Sequence, residues 1–133
     1  MVRSVARGAF PFVAGLFTAC AIIQVFLAGL GVFDDESAFI THRNFGYLFS
    51  WLTIVMVILA LVGRMPRRFA GLSALLFVLF ILQSVFVAMR ESVPAVAALH
   101  PLNGFLILAV GALTTYWSWQ SRGASTEPVD ASA

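Results

Sequence analysis

The chain has 133 residues, of which 61% are hydrophobic and 11% charged, with 8 Lys+Arg, 6 Asp+Glu and a net charge of +2. Soluble domains carry about 25% charged and about 45–50% apolar residues, so this composition excludes a soluble globular enzyme and a disordered chain. It also excludes a nucleic-acid partner, because no basic patch is large enough.

The 14 charges leave four uncharged gaps, at residues 8–33, 44–63, 69–89 and 92–121, of 26, 20, 21 and 30 residues. A helix needs about 20 apolar residues to cross a ~30 Å hydrocarbon core. The expected fold is all-α: a transmembrane up-down-up-down four-helix bundle. One domain, 1–120, holds spans at about 9–32, 42–63, 69–89 and 101–120, followed by a flexible cytoplasmic tail, 121–133.

Span one follows Arg3 and Arg7, an arrangement shared with signal peptides. A signal h-region covers about 7–15 residues. Here the apolar run passes Cys20 and continues to Phe33, so it reads as a retained helix. The single cysteine excludes an internal disulfide and a Cys-based zinc site. The outer loop carries Asp34, Asp35 and Glu36. Thr41 can then cap span two, which opens with His42 and Arg43. The inner loop is the short "GRMPRR", and span three follows it, ending at Arg90 and Glu91. Pro94 and Pro101 bracket the start of span four, where Pro suits the first helical turn. Tyr116, Trp117 and Trp119 close that span as an interfacial aromatic belt.

Four spans put both termini on one side. That side holds Arg3, Arg7, Arg64, Arg67, Arg68 and Arg122. The other holds only Arg43 and Arg90 against four carboxylates. The positive-inside rule makes the first side cytoplasmic, so the expected location is a bacterial cytoplasmic (inner) membrane, with both termini inside.

The chain also repeats itself. "IIQVFLAG" and "THRNFGYL" in the first half match "ILQSVFVA" and "LHPLNGFL" in the second. Gln24 aligns with Gln83 at a separation of 59, and His42 with His100 and Gly46 with Gly104 at 58. The halves run in the same direction through the membrane. They form a 2+2 internal repeat about an axis along the membrane normal.

His42 and His100 open spans two and four, which lie diagonally in such a bundle. Each has a Gly four residues on, on the same helix face. Those faces continue through Ser50 and Thr53 in span two, and through Gly111 and Thr115 in span four. Small faces permit close helix packing. They also leave room for a flat ligand between two imidazoles. A b-type haem with His42 and His100 as axial ligands fits this pattern. Arg43 and Arg90 would meet its propionates. Gln24 and Gln83, about seven residues inside the outer ends and so ~10 Å deep, would line the pocket below the histidines or hold a quinone headgroup. The same residues also suit a plainer role: interfacial histidines in contact with water, Gln as glue between helices and Gly as packing notches.

"THRNFGYL" and "LHPLNGFL" resemble a family of small four-helix bacterial membrane proteins of unknown function. More distantly, the layout is similar to one four-helix half of haem A synthase, which carries His at the outer ends of its second and fourth helices. The resemblance implies that His42 and His100 are a b-type haem pair. Haem A synthases carry Glu three residues before the span-two His, where this chain has Phe39, and many have an outer Cys pair that this chain lacks. A haem-modifying activity is therefore not carried over.

No Gly-rich phosphate loop, Ser-His-Asp arrangement or intramembrane carboxylate is present, so no catalytic residue is assigned and the chain reads as a non-enzyme. The leading expectation is haem b for electron transfer or for redox or haem sensing. Its partners would be the lipid bilayer, a membrane redox partner or quinone, and a homo- or hetero-oligomeric neighbour. The alternative is a non-catalytic small membrane subunit or packing partner without a cofactor.

Overall fold

The computed structural model describes residues 1–123. The chain forms α1 (Val2–Phe33), α2 (Ala38–Val62), α3 (Arg67–Ala88), a one-turn α4 (Pro94–Ala97) and α5 (Leu99–Gly123). Four spans, Val2–Phe33, Ala38–Val62, Arg67–Ala88 and Pro94–Arg122, are long and apolar enough to cross a membrane. The protein is a multi-pass, all-helical membrane protein.

The long helices close a ring: α1 packs on α2, α2 on α3, α3 on α5 and α5 on α1. The diagonal backbones, α1 against α3 and α2 against α5, do not approach each other. Short connections favour this order: four residues each, 34–37 and 63–66, join α1 to α2 and α2 to α3, and the longer 89–98 connection from α3 to α5 is taken up in part by the turn of α4. One end of the bundle carries the histidines and the other the arginines.

The interior is narrow. Phe10, Phe17, Met56, Phe69 and Leu76 are fully buried. Phe12, Phe26, Leu48, Trp51, Leu61, Leu102 and Phe105 point outward. Such an inverted surface suits a hydrocarbon solvent. Four small hydroxyls are buried among the apolar side chains, and each donates to a carbonyl of its own helix. Thr53 bonds Ser50 O at 2.7 Å, Ser73 bonds Phe69 O at 2.8 Å, Thr114 bonds Val110 O at 2.7 Å and Ser118 bonds Thr115 O at 2.7 Å. Among the described residues no side-chain donor is stranded in the core, which matters where no water can replace a missing partner.

Glycine sets the closest approach between α1 and α5. A Cβ on Gly111 would lie 2.8 Å from the Phe17 ring. One turn on, Thr18 and Thr115 share a hydroxyl–hydroxyl bond of 2.9 Å.

Several boundaries differ from the sequence reading. Helix α1 starts at Val2, so Arg3 and Arg7 are helical, and Pro11 lies buried inside it. Arg7 explains part of this. Its Nε donates to Gly63 O at 2.7 Å and its Nη2 to Arg64 O at 3.0 Å. Those are carbonyls at the end of α2, which have no partner within the helix. The contact holds the α1 terminus against the α2–α3 turn.

Helix α2 starts at Ala38 with Ser37 as its N-cap residue, so Thr41 is not the cap. The turn before it is held by Asp35, whose carboxylate accepts from the Ser37 backbone N–H at 2.9 Å and from the Ser37 hydroxyl. Both bonds favour the ionised form and hold the Asp35 pKa below the usual carboxylate value. The outer connection before α5 contains α4, a turn begun by Pro94. Pro101 lies in the first turn of α5, as its missing N–H allows. Helix α5 runs to Gly123, past the expected end at 120. The rest of the expected tail, 124–133, lies outside the described residues.

Candidate functional site

His42 and His100 face each other across the diagonal of the bundle, with ring centroids 6.2 Å apart and planes inclined at 60°. Each is held by the neighbouring helix. Within the first half, His42 Nδ1 lies 3.0 Å from Gln24 O, and Gln24 Nε2 donates to His42 O at 2.7 Å. Within the second, His100 Nδ1 lies 3.3 Å from Gln83 O. A backbone carbonyl only accepts, so Nδ1 carries the hydrogen in both rings and Nε2 carries the lone pair. In His100 that lone pair accepts from the Gln83 side-chain amide at 3.2 Å.

The two glutamines also explain the two glycines. A Cβ on Gly46 would lie 2.8 Å from Gln24 Nε2, and one on Gly104 would lie 3.4 Å from Gln83 Nε2. The glycines seat the amides rather than leaving an open slot beneath the imidazoles. Gln24 and Gln83 therefore stand level with the histidines, not one layer deeper. For the first pair the reason is the early start of α2: His42 is in its second turn, further along the bundle than a helix-opening residue would be, whereas His100 lies in the first turn of α5.

Asn103, buried in α5, was not among the candidate residues. Its amide donates to Leu79 O at 2.9 Å and to Gln83 Oε1. The matching position in the first half, 58 residues earlier, is Phe45. Gln24 Oε1 consequently has no donor and is a buried acceptor without a partner. The available signal was the contrast between "HPLNG" and "HRNFG", which places a lone amide one residue before Gly104.

Below this polar layer the bundle is filled by aromatic rings. Phe45 and Phe49 lie 5.5 Å apart, Phe49 and Phe80 5.1 Å, and Phe17 and Phe49 5.5 Å. They form an apolar floor to the layer. Above it, Arg43 and Arg90 are exposed. Arg43 Nε reaches Asn44 Oδ1 at 3.5 Å, and Arg90 pairs with Glu91 at 3.3 Å. The structure thus brings together His42, His100, Gln24, Gln83, Gly46 and Gly104, and leaves the two arginines at the rim.

Two imidazoles that share one metal at ~2.0–2.1 Å per bond have ring centres roughly 6 Å apart. The observed spacing meets that requirement, and the Nδ1–H···O=C bonds are the outer contacts that orient a ligating His. The ring spacing therefore suits two ligands to one iron, which His42 and His100 would hold. Ligation would break the Gln83–His100 Nε2 bond, while Asn103 keeps its own bond to Leu79 O. No cluster of three or more His, Cys, Asp or Glu exists among the described residues, so a zinc-type site is not formed.

Residues 24–89 match a family of unknown function, DUF6220. The match covers just under half of the chain and includes Gln24, His42, Gly46 and Gln83. It stops before His100 and Gly104. No curated protein and no solved structure matches the chain.

Proposed function

We propose that this membrane protein binds one b-type haem through His42 and His100 and serves in electron transfer or in redox or haem sensing. The observation that carries the reading is the pair of facing imidazoles at 6.2 Å, each with Nδ1 committed to a backbone carbonyl. Haem held in this way supplies one-electron exchange between its two iron states.

The chain's own residues do the rest. His42 and His100 come from two helices whose backbones do not touch, so the bundle sets the separation of the two rings, and His100 Nε2 would exchange its Gln83 amide for the iron. The carbonyls of Gln24 and Gln83 fix the tautomer and the ring orientation. The Phe45–Phe49–Phe80 floor keeps water and ions from passing deeper and lowers the dielectric around the site. Gln24 Oε1 offers an unused acceptor beside His42, suited to an O–H or N–H donor on a bound group, such as the hydroxyl of a quinol. Arg43 and Arg90 supply positive charge at the rim for propionates, although Arg90 shares its charge with Glu91.

The same proposal includes the 2+2 repeat, supported by the matched Gln–His–Gly contacts of the two halves. It includes the likeness to one half of haem A synthase, resting on the same two histidines. It also includes a bacterial inner-membrane location with the arginine end in the cytoplasm, supported by the separation of charge between the two ends.

The test is a reduced-minus-oxidised absorbance spectrum of protein purified from haem-replete cells. Sharp bands of a six-coordinate b-type haem are expected, and His42→Ala and His100→Ala should each remove them. A colourless preparation would leave the second reading, a packing subunit in which both histidines can be replaced without loss.

A further inference from the structure

At the opposite end of the bundle, a cleft of about 360 Å³ is lined by Arg3, Ser4, Arg7 and Met1. It adjoins an apolar groove of about 300 Å³ between α1 and α2, lined by Val2, Val5, Ile58, Leu59 and Val62, with Met1 common to both. Val5 and Ile58 are more than half exposed on the lipid-facing side. A basic cleft at the end of a span, meeting a lipid-facing apolar groove at Met1, has the form of a headgroup site beside an acyl-chain track.

We propose that this composite site holds one anionic phospholipid, its phosphate on the guanidinium groups of Arg3 and Arg7 and one acyl chain along the α1–α2 groove.

Three observations carry the assignment. First, charge: the described carboxylates, Asp34, Asp35, Glu36 and Glu91, all lie at the histidine end, where Glu91 pairs with Arg90. Arg3 and Arg7 have no carboxylate to neutralise them among the described residues. Second, orientation: Arg7 is anchored by Gly63 O and Arg64 O, and Arg3 Nε lies 3.4 Å from Gly63 O. Their remaining N–H groups are left for an external acceptor, and a phosphate takes two parallel bonds from a guanidinium. Third, spacing: Arg3 and Arg7 are one turn apart on the same face of α1 and both reach Gly63 O, so one phosphate can meet both guanidinium groups. Basic pockets between spans at a membrane surface are recognised sites for anionic headgroups. The site is independent of the histidine pair and of any cofactor there.

The experiment is native mass spectrometry of the full chain in detergent, titrated with phosphatidylglycerol or phosphatidylcholine of identical acyl chains. Phosphatidylglycerol is expected to be retained preferentially. Arg3→Gln should reduce that preference roughly fivefold, the effect of about one guanidinium near an anionic surface. Arg7 also holds the α2–α3 turn, so Arg3 carries the charge test. Val5→Trp, on an exposed helix face, should fill the groove and weaken retention of both lipids without unfolding the bundle. Inorganic phosphate at millimolar concentration should not displace the lipid. Equal retention of the two lipids, a preference that survives both substitutions, or displacement by phosphate alone would overturn the proposal.

Discussion

Gln24 and Gln83 each reach a histidine on the neighbouring helix but differ at both ends of the amide: Gln24 Nε2 donates to the backbone His42 O, while Gln83 Nε2 donates to the His100 ring Nε2. Gln83 Oε1 receives the amide of Asn103, while Gln24 Oε1 receives nothing because Phe45 stands in the equivalent place. A buried acceptor without a donor costs about 1–3 kcal/mol, and removing a satisfied group strands its partners. Gln83→Leu should therefore lower the melting temperature in detergent more than Gln24→Leu, which discards an unmet acceptor along with its one good bond. Equal or reversed losses would show that Asn103 does not complete the second site. The histidines and glutamines were legible in the sequence because they are rare polar residues repeated at a fixed spacing. Asn103 was not, because its partner position in the first half is Phe and the repeat hides it. The sequence leaves Gly46 and Gly104 open between a slot for a flat ligand and a packing notch. Their spacing from His is plain, but which side chain fills the space above a glycine is decided by the neighbouring helix.

At the level of helices, charge proved a good guide to where spans exist and a poor one to where they begin. The reading started span one after Arg7 and span two at His42. The structure starts them at Val2 and Ala38. Two interactions cause the difference: the Arg7 contacts to the end of α2, and the Asp35–Ser37 turn that lets α2 begin earlier. Neither leaves a mark in hydropathy. Close packing of α1 on α5 is likewise carried by a single position. Gly111→Ala would drive a methyl into Phe17, which is fully buried among Phe49 and Phe80 and has no room to move. Overpacking of this kind costs about 1–3 kcal/mol. Gly71, on the exposed face of α3, has nothing within 4 Å of its Cβ site. Gly71→Ala should be neutral or stabilise by about 0.5–1 kcal/mol through helix propensity. Thermal unfolding of the two variants in the same detergent compares these directly, and a Gly111→Ala protein as stable as the wild type would contradict the packing described.

Across the whole molecule, the polar chemistry is divided between the ends of the bundle. The histidine end has carboxylates, a polar layer and an orphan acceptor above an aromatic floor. The other end has six arginines, no carboxylate among the described residues, and an apolar groove beside them. The aromatic belt agrees with that division, since the Arg122 guanidinium lies 5.2 Å from the Phe12 ring and 5.2 Å from the Trp119 ring, close to where the bundle meets the basic surface. Four spans and their antiparallel order could be read from the spacing of 14 charges, because a bilayer leaves few alternatives for such a chain. The ring order of the helices, and hence the diagonal placement of α2 and α5, is what turns two distant histidines into one site. The central claim is that both bind the same iron. Low-temperature electron paramagnetic resonance of the oxidised protein tests it most directly. A low-spin ferric signal is predicted, converted by either His42→Ala or His100→Ala to a high-spin signal or lost. A wild-type protein without a haem signal, or a low-spin signal that survives either substitution, would contradict the account.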